Sequence, residues 1–384
     1  MTGRVSLPAR GALLWAALAA IAATPLAAGA AWKTGPALQL RLEGRYDSNV
    51  IEGGGDGSSL VQPGVGWKFA SPTSTVDAIY LFELVSYAHQ GPGRGGTNHR
   101  LRGDESFRLG RRTTLELQQA FERVYDPTAL SRVGVVRTTG TSTFGMASLD
   151  LSHRLGRRWS AGIELQEEIA RIESPGAVDG AVHAPSIWTR HLWSRRDESR
   201  LRWRLQYFQT FGGFDAASNE VTASYRRNLT KTTFVELVAG PALYTQGGAT
   251  TAEPIGKLEV GRIWPRFTLS AVLERAYFGS TGFEGGLWSE GATGVLAWRI
   301  SEPLRATLAV GAYRNGVAPA EDAFVEGFGG AAVLEWAIGG DVVAQAAWRR
   351  TIQSSLEGGA PLALDISRNV FAIGFAWQLD GGRI

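Results

Sequence analysis

Residues 199–211 read SRLRWRLQYFQTF, and apolar and polar side chains alternate along this stretch. Leu201, Trp203 and Leu205 would share one face of an extended chain, because successive side chains of a strand point to opposite sides. Arg202 and Arg204 would share the other face. The stretch therefore predicts a β-strand with one apolar face and one charged face, since a helix would scatter these charges around its surface.

The same alternation recurs from residue 37 to residue 379, as in 115–122, 159–168, 267–273 and 371–379. We count about eighteen such segments of roughly ten residues, the length with which a tilted strand crosses a bilayer. The alternation is weak near 75–87 and 323–337, so sixteen strands is an alternative count. The pattern predicts an all-β fold, a transmembrane up-and-down antiparallel β-barrel.

The connections between these segments alternate between short and long. Short ones include 71–73, 110–112, 265–266 and 339–340, and long ones include 48–58, 88–96, 126–138 and 354–364. Outer-membrane barrels have short periplasmic turns and longer outer loops. We therefore expect all the short turns at one end of the barrel.

Residues 1–30 have the pattern of a secretory signal peptide. Arg4 and Arg10 precede an apolar run at 11–23, and residues 28–30 (Ala-Gly-Ala) form a small-residue cleavage site. An N-terminal membrane anchor is the alternative, but Pro25 would end the apolar helix too early for it to span. We expect residues 31–384 to form a single exported barrel domain in the outer membrane of a Gram-negative bacterium.

Composition excludes several other classes of protein. Charged residues make up 20% and aromatic residues 10% of the chain, which argues against a helical polytopic membrane protein and against disorder. The net charge of +3 is too small and too evenly spread for a nucleic-acid binder. There is no cysteine, so thiol chemistry is excluded.

Aromatic residues fall near the ends of the predicted strands, where rings would lie at the level of the lipid headgroups. This predicted aromatic girdle consists of Tyr46, Trp159, Tyr225, Phe267, Tyr277, Trp298 and Trp348. The last strand resembles the C-terminal assembly signal of outer-membrane barrels through Gly374, Trp377 and Leu379. The chain departs from that signal because it continues through residues 380–384. The resemblance implies recognition by the barrel-assembly machinery.

No arrangement of residues predicts catalysis, a metal ion or a cofactor. The histidines, at 89, 99, 153, 183 and 191, are scattered and lack metal-ligand spacing. Residues 91–96 fit the glycine pattern of dinucleotide-binding loops, but a charged strand follows where a helix would be needed. A catalytic set assembled at the barrel rim is the remaining enzymatic alternative.

Charged and amide side chains occupy the alternate positions opposite the apolar face. The predicted lumen-lining residues are Arg41, Glu43, Arg45, Arg100, Arg102, Arg108, Glu116, Gln118, Glu164, Gln166, Arg202, Arg204, Gln206 and Arg226. Isolated charges facing lipid cost several kcal/mol, so these side chains must face water or one another. They form either a ladder of neutralising pairs or a conduit for a hydrophilic solute.

Residues 45–50, Arg-Tyr-Asp-Ser-Asn-Val, resemble a signature of outer-membrane β-barrel porins of the exopolysaccharide-associated type. The signature consists of Tyr46, Asp47 and Asn49, and the likeness extends over residues 37–130 through 61–65, 75–78 and 112–117. The resemblance implies a barrel through which a polysaccharide chain is exported, working with periplasmic polysaccharide-export proteins.

Three functions follow as hypotheses. The first is a polar conduit for polysaccharide export, and the second is a general or solute-specific diffusion porin. The third is a structural or adhesive barrel whose outer loops, such as 172–185, bind a partner. Each would be embedded in outer-membrane lipid.

Overall fold

The computed structural model describes residues 33–50, 54–89, 95–125, 141–173, 179–211, 215–279, 286–317, 323–355 and 365–380. Eighteen β-strands account for the regular structure of these residues. They are β1 Lys33–Val50, β2 Gly54–Ala70, β3 Ser74–Tyr87, β4 Gly96–Arg108, β5 Thr113–Val124, β6 Ser142–Arg154, β7 Trp159–Ile172, β8 Gly180–Leu192, β9 Asp197–Thr210, β10 Asp215–Asn228, β11 Thr233–Gln246, β12 Ala249–Ile263, β13 Phe267–Gly279, β14 Gly286–Arg299, β15 Leu304–Val317, β16 Ala323–Gly339, β17 Val342–Ser355 and β18 Ile366–Asp380.

The strands form one closed antiparallel sheet. Each strand pairs with its neighbours in sequence, and β1 pairs with both β2 and β18. The predicted up-and-down barrel of eighteen strands is thus confirmed. The two weakly alternating segments are present as β3 and β16, which removes the sixteen-strand alternative.

A contact between distant strands identifies the inner face of the sheet. The side chain of Gln206 on β9 reaches the backbone oxygen of Tyr277 on β13, four strands away. In a closed barrel, such strands can meet only inside the lumen. Alternation from Gln206 therefore places Arg204 and Arg202 inside and Trp203 and Leu201 outside.

Large apolar side chains cover the outer face of the barrel. Leu237, Leu273 and Val310 each expose more than half of their surface to the exterior. A soluble protein seldom exposes a continuous apolar surface of this extent, whereas the outer wall of a transmembrane barrel must do so. This band surrounds the barrel and is the surface suited to lipid.

The connections at one end of the barrel are all short, as predicted, with two to four residues between strands from 71–73 to 340–341. The other end is more varied than predicted. The connection expected over 48–58 covers only 51–53, because β1 and β2 continue further outward. Gly247 and Gly248 alone join β11 to β12, with φ angles of 57° and 85° that suit a two-residue hairpin turn.

The predicted signal peptide, residues 1–30, lies outside the described residues, which begin at residue 33. It and the single-domain boundary at residue 31 stay predictions. No helix in the described part of the chain is long and apolar enough to cross a membrane.

Candidate functional site

The lumen wall holds all fourteen residues predicted to line it. Register and alternation place each of them on the same face as Gln206. Their burial varies widely: Glu43 and Gln206 are buried, whereas Arg102, Arg108, Glu116 and Gln118 are exposed to the interior. The wall therefore contains both paired charges and side chains open to the lumen.

One buried network of charges crosses β2 to β5. Arg100 donates to Glu83 and to Glu122, each at 3.1 Å. Gln62 donates to Glu83 at 2.6 Å, and Arg102 lies 3.5 Å from Glu122. These hydrogen bonds satisfy two buried carboxylates, whose burial unpaired would be costly. This part of the wall matches the interpretation of a neutralising ladder.

A second network crosses β7 to β9. Arg202 lies 3.0 Å from Glu164, and Arg204 donates to the Gln166 side-chain oxygen at 3.2 Å. The guanidinium of Arg200 stacks over the ring of Trp188 at 4.4 Å. Arg200 and Arg202, two residues apart on β9, thus share the Glu164 carboxylate, and Arg200 also stacks on an aromatic ring. Arg200 and Arg202 remain partly exposed on this face, with 34% and 26% of their side-chain surface accessible.

A third network lies at the seam where the barrel closes. Glu43 accepts hydrogen bonds from Arg41 and Arg45 within β1. Asp47 is buried on the inner face and forms an ion pair with Arg368 of β18, whose Nε donates to it at 2.7 Å. Two residues of the predicted signature thus lie on opposite faces: Asp47 points inward, and Tyr46 points outward. Asn49 lies in β1, and its side chain is outside the described part.

The three residues of the predicted assembly signal also lie at this seam. Trp377 and Leu379 face outward opposite Leu40 and Leu38, whereas Gly374 lies on the inner face opposite Glu43. Their arrangement closes the first strand against the last. Recognition by the assembly machinery stays a prediction.

The predicted aromatic girdle is wrong at one position. Six of its residues expose at least a third of their surface on the outer wall: Tyr46, Trp159, Tyr225, Phe267, Trp298 and Trp348. Tyr277 is only 4% exposed, and its ring stacks on Tyr244 of β11 at 5.2 Å. It belongs to an aromatic cluster inside the lumen, because the outer part of β13 turns inward instead of following β12.

This inner aromatic cluster is the first feature that the sequence analysis missed. It consists of Phe208, Tyr244, Tyr277 and Trp288, with small residues of β10 and β11 beneath them. All four rings are buried, although they come from strands β9, β11, β13 and β14. They narrow the outer half of the lumen with apolar surface above the arginines of β9.

The second missed feature is an arc of the wall without charge. On the described inner faces of β14 to β16, charged side chains (Arg299, Arg305 and Glu335) lie only near the end with the short turns. The described uncharged inner positions are Leu287, Ser289, Gly291, Thr293, Val295, Ala297, Thr307, Ala309, Gly311, Tyr313, Asn315, Val325, Gly327, Gly329, Ala331 and Val333. The lumen therefore has a charged side, from β17 through β1 to β13, and an uncharged side of mostly small residues on β14 to β16. The glycine and alanine content of residues 291–333 was the available sequence signal.

At the outer rim, Asp56 accepts hydrogen bonds from the backbone and the ring of His89, the latter at 2.9 Å. The hydrogen bond from the His89 ring lowers the pKa of Asp56. This contact ties the start of β2 to the end of β3. Among the described residues, no three His, Asp or Glu side chains come close enough together to hold a metal ion.

No protein-family model matches the chain, and no curated protein matches it either. Solved structures do. OccK9 (OpdG) of Pseudomonas aeruginosa is 12% identical, with a TM-score of 0.50, over 90% of this chain and 99% of that one.

Two further structures are similar over nearly their whole length. A BenF-like porin of Pseudomonas fluorescens Pf-5 is 9% identical, with a TM-score of 0.51, over 91% of this chain and 99% of that one. OccK2 (OpdF) of P. aeruginosa, solved in complex with glucuronate, is 9% identical, with a TM-score of 0.50, over 91% of this chain and 98% of that one. At these identities the likeness shows a shared fold, that of outer-membrane porin barrels.

Proposed function

We propose that this chain is a diffusion porin, a passive channel for small hydrophilic solutes in the outer membrane of a Gram-negative bacterium. The observation that carries the proposal is the division of the wall into an apolar outer face and an inner face bearing arginines, carboxylates and amides. A barrel of this strand number leaves an aqueous interior unless side chains or loops fill it. The shared fold with porin structures supports the same interpretation.

The two sides of the lumen suggest how a solute passes. Charged groups on β1 to β13 can exchange hydrogen bonds with the polar part of a solute, while the small residues of β14 to β16 leave room beside them. As the solute moves, its hydrogen bonds to water are replaced by hydrogen bonds to side chains of the lumen. The concentration gradient of the solute is then sufficient to drive its passage.

Reconstitution tests the proposal. The refolded protein is inserted into planar bilayers for single-channel recording and into liposomes for swelling assays with sugars and carboxylates of increasing size. We expect discrete conductance steps and swelling that stops above a size limit. Inserted, folded protein that passes neither ions nor sugars would contradict the proposal.

The hypothesis of polysaccharide export came from the signature at residues 45–50, and the similar structures add no support to it. It stays a prediction, as do its periplasmic partners. Deleting the gene and measuring surface polysaccharide would separate it from the porin: a diffusion porin leaves the polysaccharide unchanged. The adhesive hypothesis concerns the outer loops, most of which lie outside the described residues.

A further inference from the structure

The outer part of the β13–β14 hairpin, residues 275–279 and 286–290, leaves the barrel wall and enters the lumen. Pairing between β12 and β13 ends at Gly256 and Arg275, whereas β12 continues to Ala249. The ladder between β13 and β14 continues without interruption to Gly279 and Gly286. The two strands of the hairpin therefore stay together while the hairpin separates from β12.

The inserted hairpin packs against the inner face of strands that are not its neighbours. Tyr277 stacks on Tyr244, and the Gly286 N–H donates to the Tyr244 hydroxyl oxygen at 2.8 Å. Gln206 of β9 lies within 3.5 Å of the Tyr277 backbone oxygen. Trp288 joins the same cluster. The hairpin thus covers the wall from β9 to β12 and occupies space that would otherwise be open lumen.

Pro254 explains why the β12–β13 ladder ends where it does. Pro254 lies opposite Pro241 on β11. Since neither ring carries an N–H, the pair must occupy a site of the β11–β12 ladder that needs no hydrogen bond. The nitrogen of Pro254 then faces β13, where it cannot donate. The missing donor lies two residues beyond Gly256, at the next hydrogen-bonding position after the last pair, Gly256 and Arg275.

Ion pairs around Arg275 hold the inserted position. Its guanidinium lies 2.6 Å from Glu253 on β12 and 2.8 Å from Glu290 on β14. It therefore connects the hairpin to the strand from which the hairpin has separated. The three side chains are partly exposed, so the connection is of moderate strength.

The sequence fits a second position of the same hairpin. Continuing the register past Gly256 and Arg275 would place Tyr277 opposite Pro254. Tyr277 would then share the outward face with Leu273 and Leu269, and its ladder partner Trp288 would also point outward. Aromatic residues are favoured at that level of a barrel. In the inserted position the rings of Tyr277 and Trp288 are buried inside the lumen. In the second position the same two rings would lie on the outer wall, at the level where aromatic residues are favoured.

We propose that this hairpin is a gate, an inference that rests on the proposed porin function. The channel is narrow when the hairpin is inserted in the lumen, and it is wide when the hairpin is realigned with β12. Arg275 is the positioning residue that favours the inserted state. Pro254 raises the free energy of the realigned state, because the β12–β13 ladder lacks one hydrogen bond at this residue.

Single-channel recording tests the gate. We expect two conductance levels in the wild-type protein. Arg275→Gln should increase the ratio of time at the higher level to time at the lower level about fivefold, the factor that corresponds to ion pairing of moderate strength. Pro254→Ala, which restores the N–H, should shift the ratio in the same direction. Arg227→Gln breaks an outer-face ion pair with Asp197 and should leave the ratio unchanged.

A reducible cross-link provides a second test that does not depend on the stability of Arg275→Gln. The chain has no cysteine, so Tyr244→Cys with Tyr277→Cys introduces the only two thiols. Joining them with a short bis-methanethiosulfonate reagent, which forms a disulfide with each thiolate and releases methanesulfinate at each end, should abolish the higher level, and reductant should restore it. A channel with one level that neither the variants nor the cross-link alter would overturn the gate alone. Absence of any channel would instead overturn the porin function.

Discussion

Individual residues at the seam between β1 and β18 determine whether the barrel can close. Gly374 lies so close to β1 that a Cβ atom there would overlap the Leu42 carbonyl oxygen and lie 3.0 Å from the Glu43 Cα. Asp47 and Arg368 join the same two strands by an ion pair on the inner face. One residue therefore permits close approach, and the other two hold the strands in register.

Gly374→Ala is expected to destabilise the folded barrel by about 1–3 kcal/mol, because the backbone of β1 must shift to admit the methyl group. The measurement is the urea midpoint of unfolding in lipid vesicles, followed by tryptophan fluorescence. Gly329→Ala is the matched control, since its nearest atom would lie 3.7 Å away. Equal midpoints for the two variants would contradict the steric account.

Asp47→Asn and Arg368→Gln should each lower the unfolding midpoint, because each removes one charge of this largely buried ion pair. The double variant should be less destabilised than the sum of the two single variants, by about 0.5–3 kcal/mol. A double-mutant cycle in the same vesicle assay measures this coupling. Strict additivity would show that the seam gains nothing from the pair.

At the scale of the element, each strand follows the alternation of its sequence, and each connection follows its length. The turn between β11 and β12 is the tightest at the outer end, and both of its residues have positive φ angles. A side chain with a Cβ atom is disfavoured in that conformation. This hairpin therefore depends on its two glycines.

Replacing Gly247 and Gly248 together by alanine should destabilise the barrel by about 2–4 kcal/mol, since each alanine would be held in a left-handed conformation. Gly110→Ala with Gly156→Ala, in turns without a positive φ and without atoms within 4 Å, is the control pair. Refolding yield, read as the fraction of heat-modifiable protein on gels, distinguishes them. Equal yields would argue against the turn geometry.

At the scale of the whole molecule, the closed sheet separates two solvents. In the proposed porin, outward side chains contact lipid and inward side chains contact the water of the lumen, so neighbouring residues on one strand experience opposite environments. Ala309 and Val310 of β15 illustrate this: Val310 is exposed on the outer wall, and Ala309 lies on the uncharged side of the lumen.

Val310→Arg should reduce stability in the bilayer by about 2–4 kcal/mol, the cost of an arginine facing the middle of the membrane. Ala309→Arg, one residue away, should insert normally and should shift the channel toward anions. Vesicle unfolding and reversal-potential measurements in a salt gradient test the two effects. Tolerance of arginine at both positions, or at neither, would contradict the assignment of faces.

The sequence by itself determined the strand content, the closed barrel and its two faces, because a period of two is a local property that each strand carries along its own length. Only the tertiary structure decided which charges meet, such as Arg100 with Glu83, and where the wall departs from regularity. Tyr277 shows the reason: its alternation favours the outer wall, yet Pro254 ends the ladder and Tyr244 stacks on its ring inside the lumen. Contacts between distant strands depend on the closure of the whole sheet, and no single segment contains them.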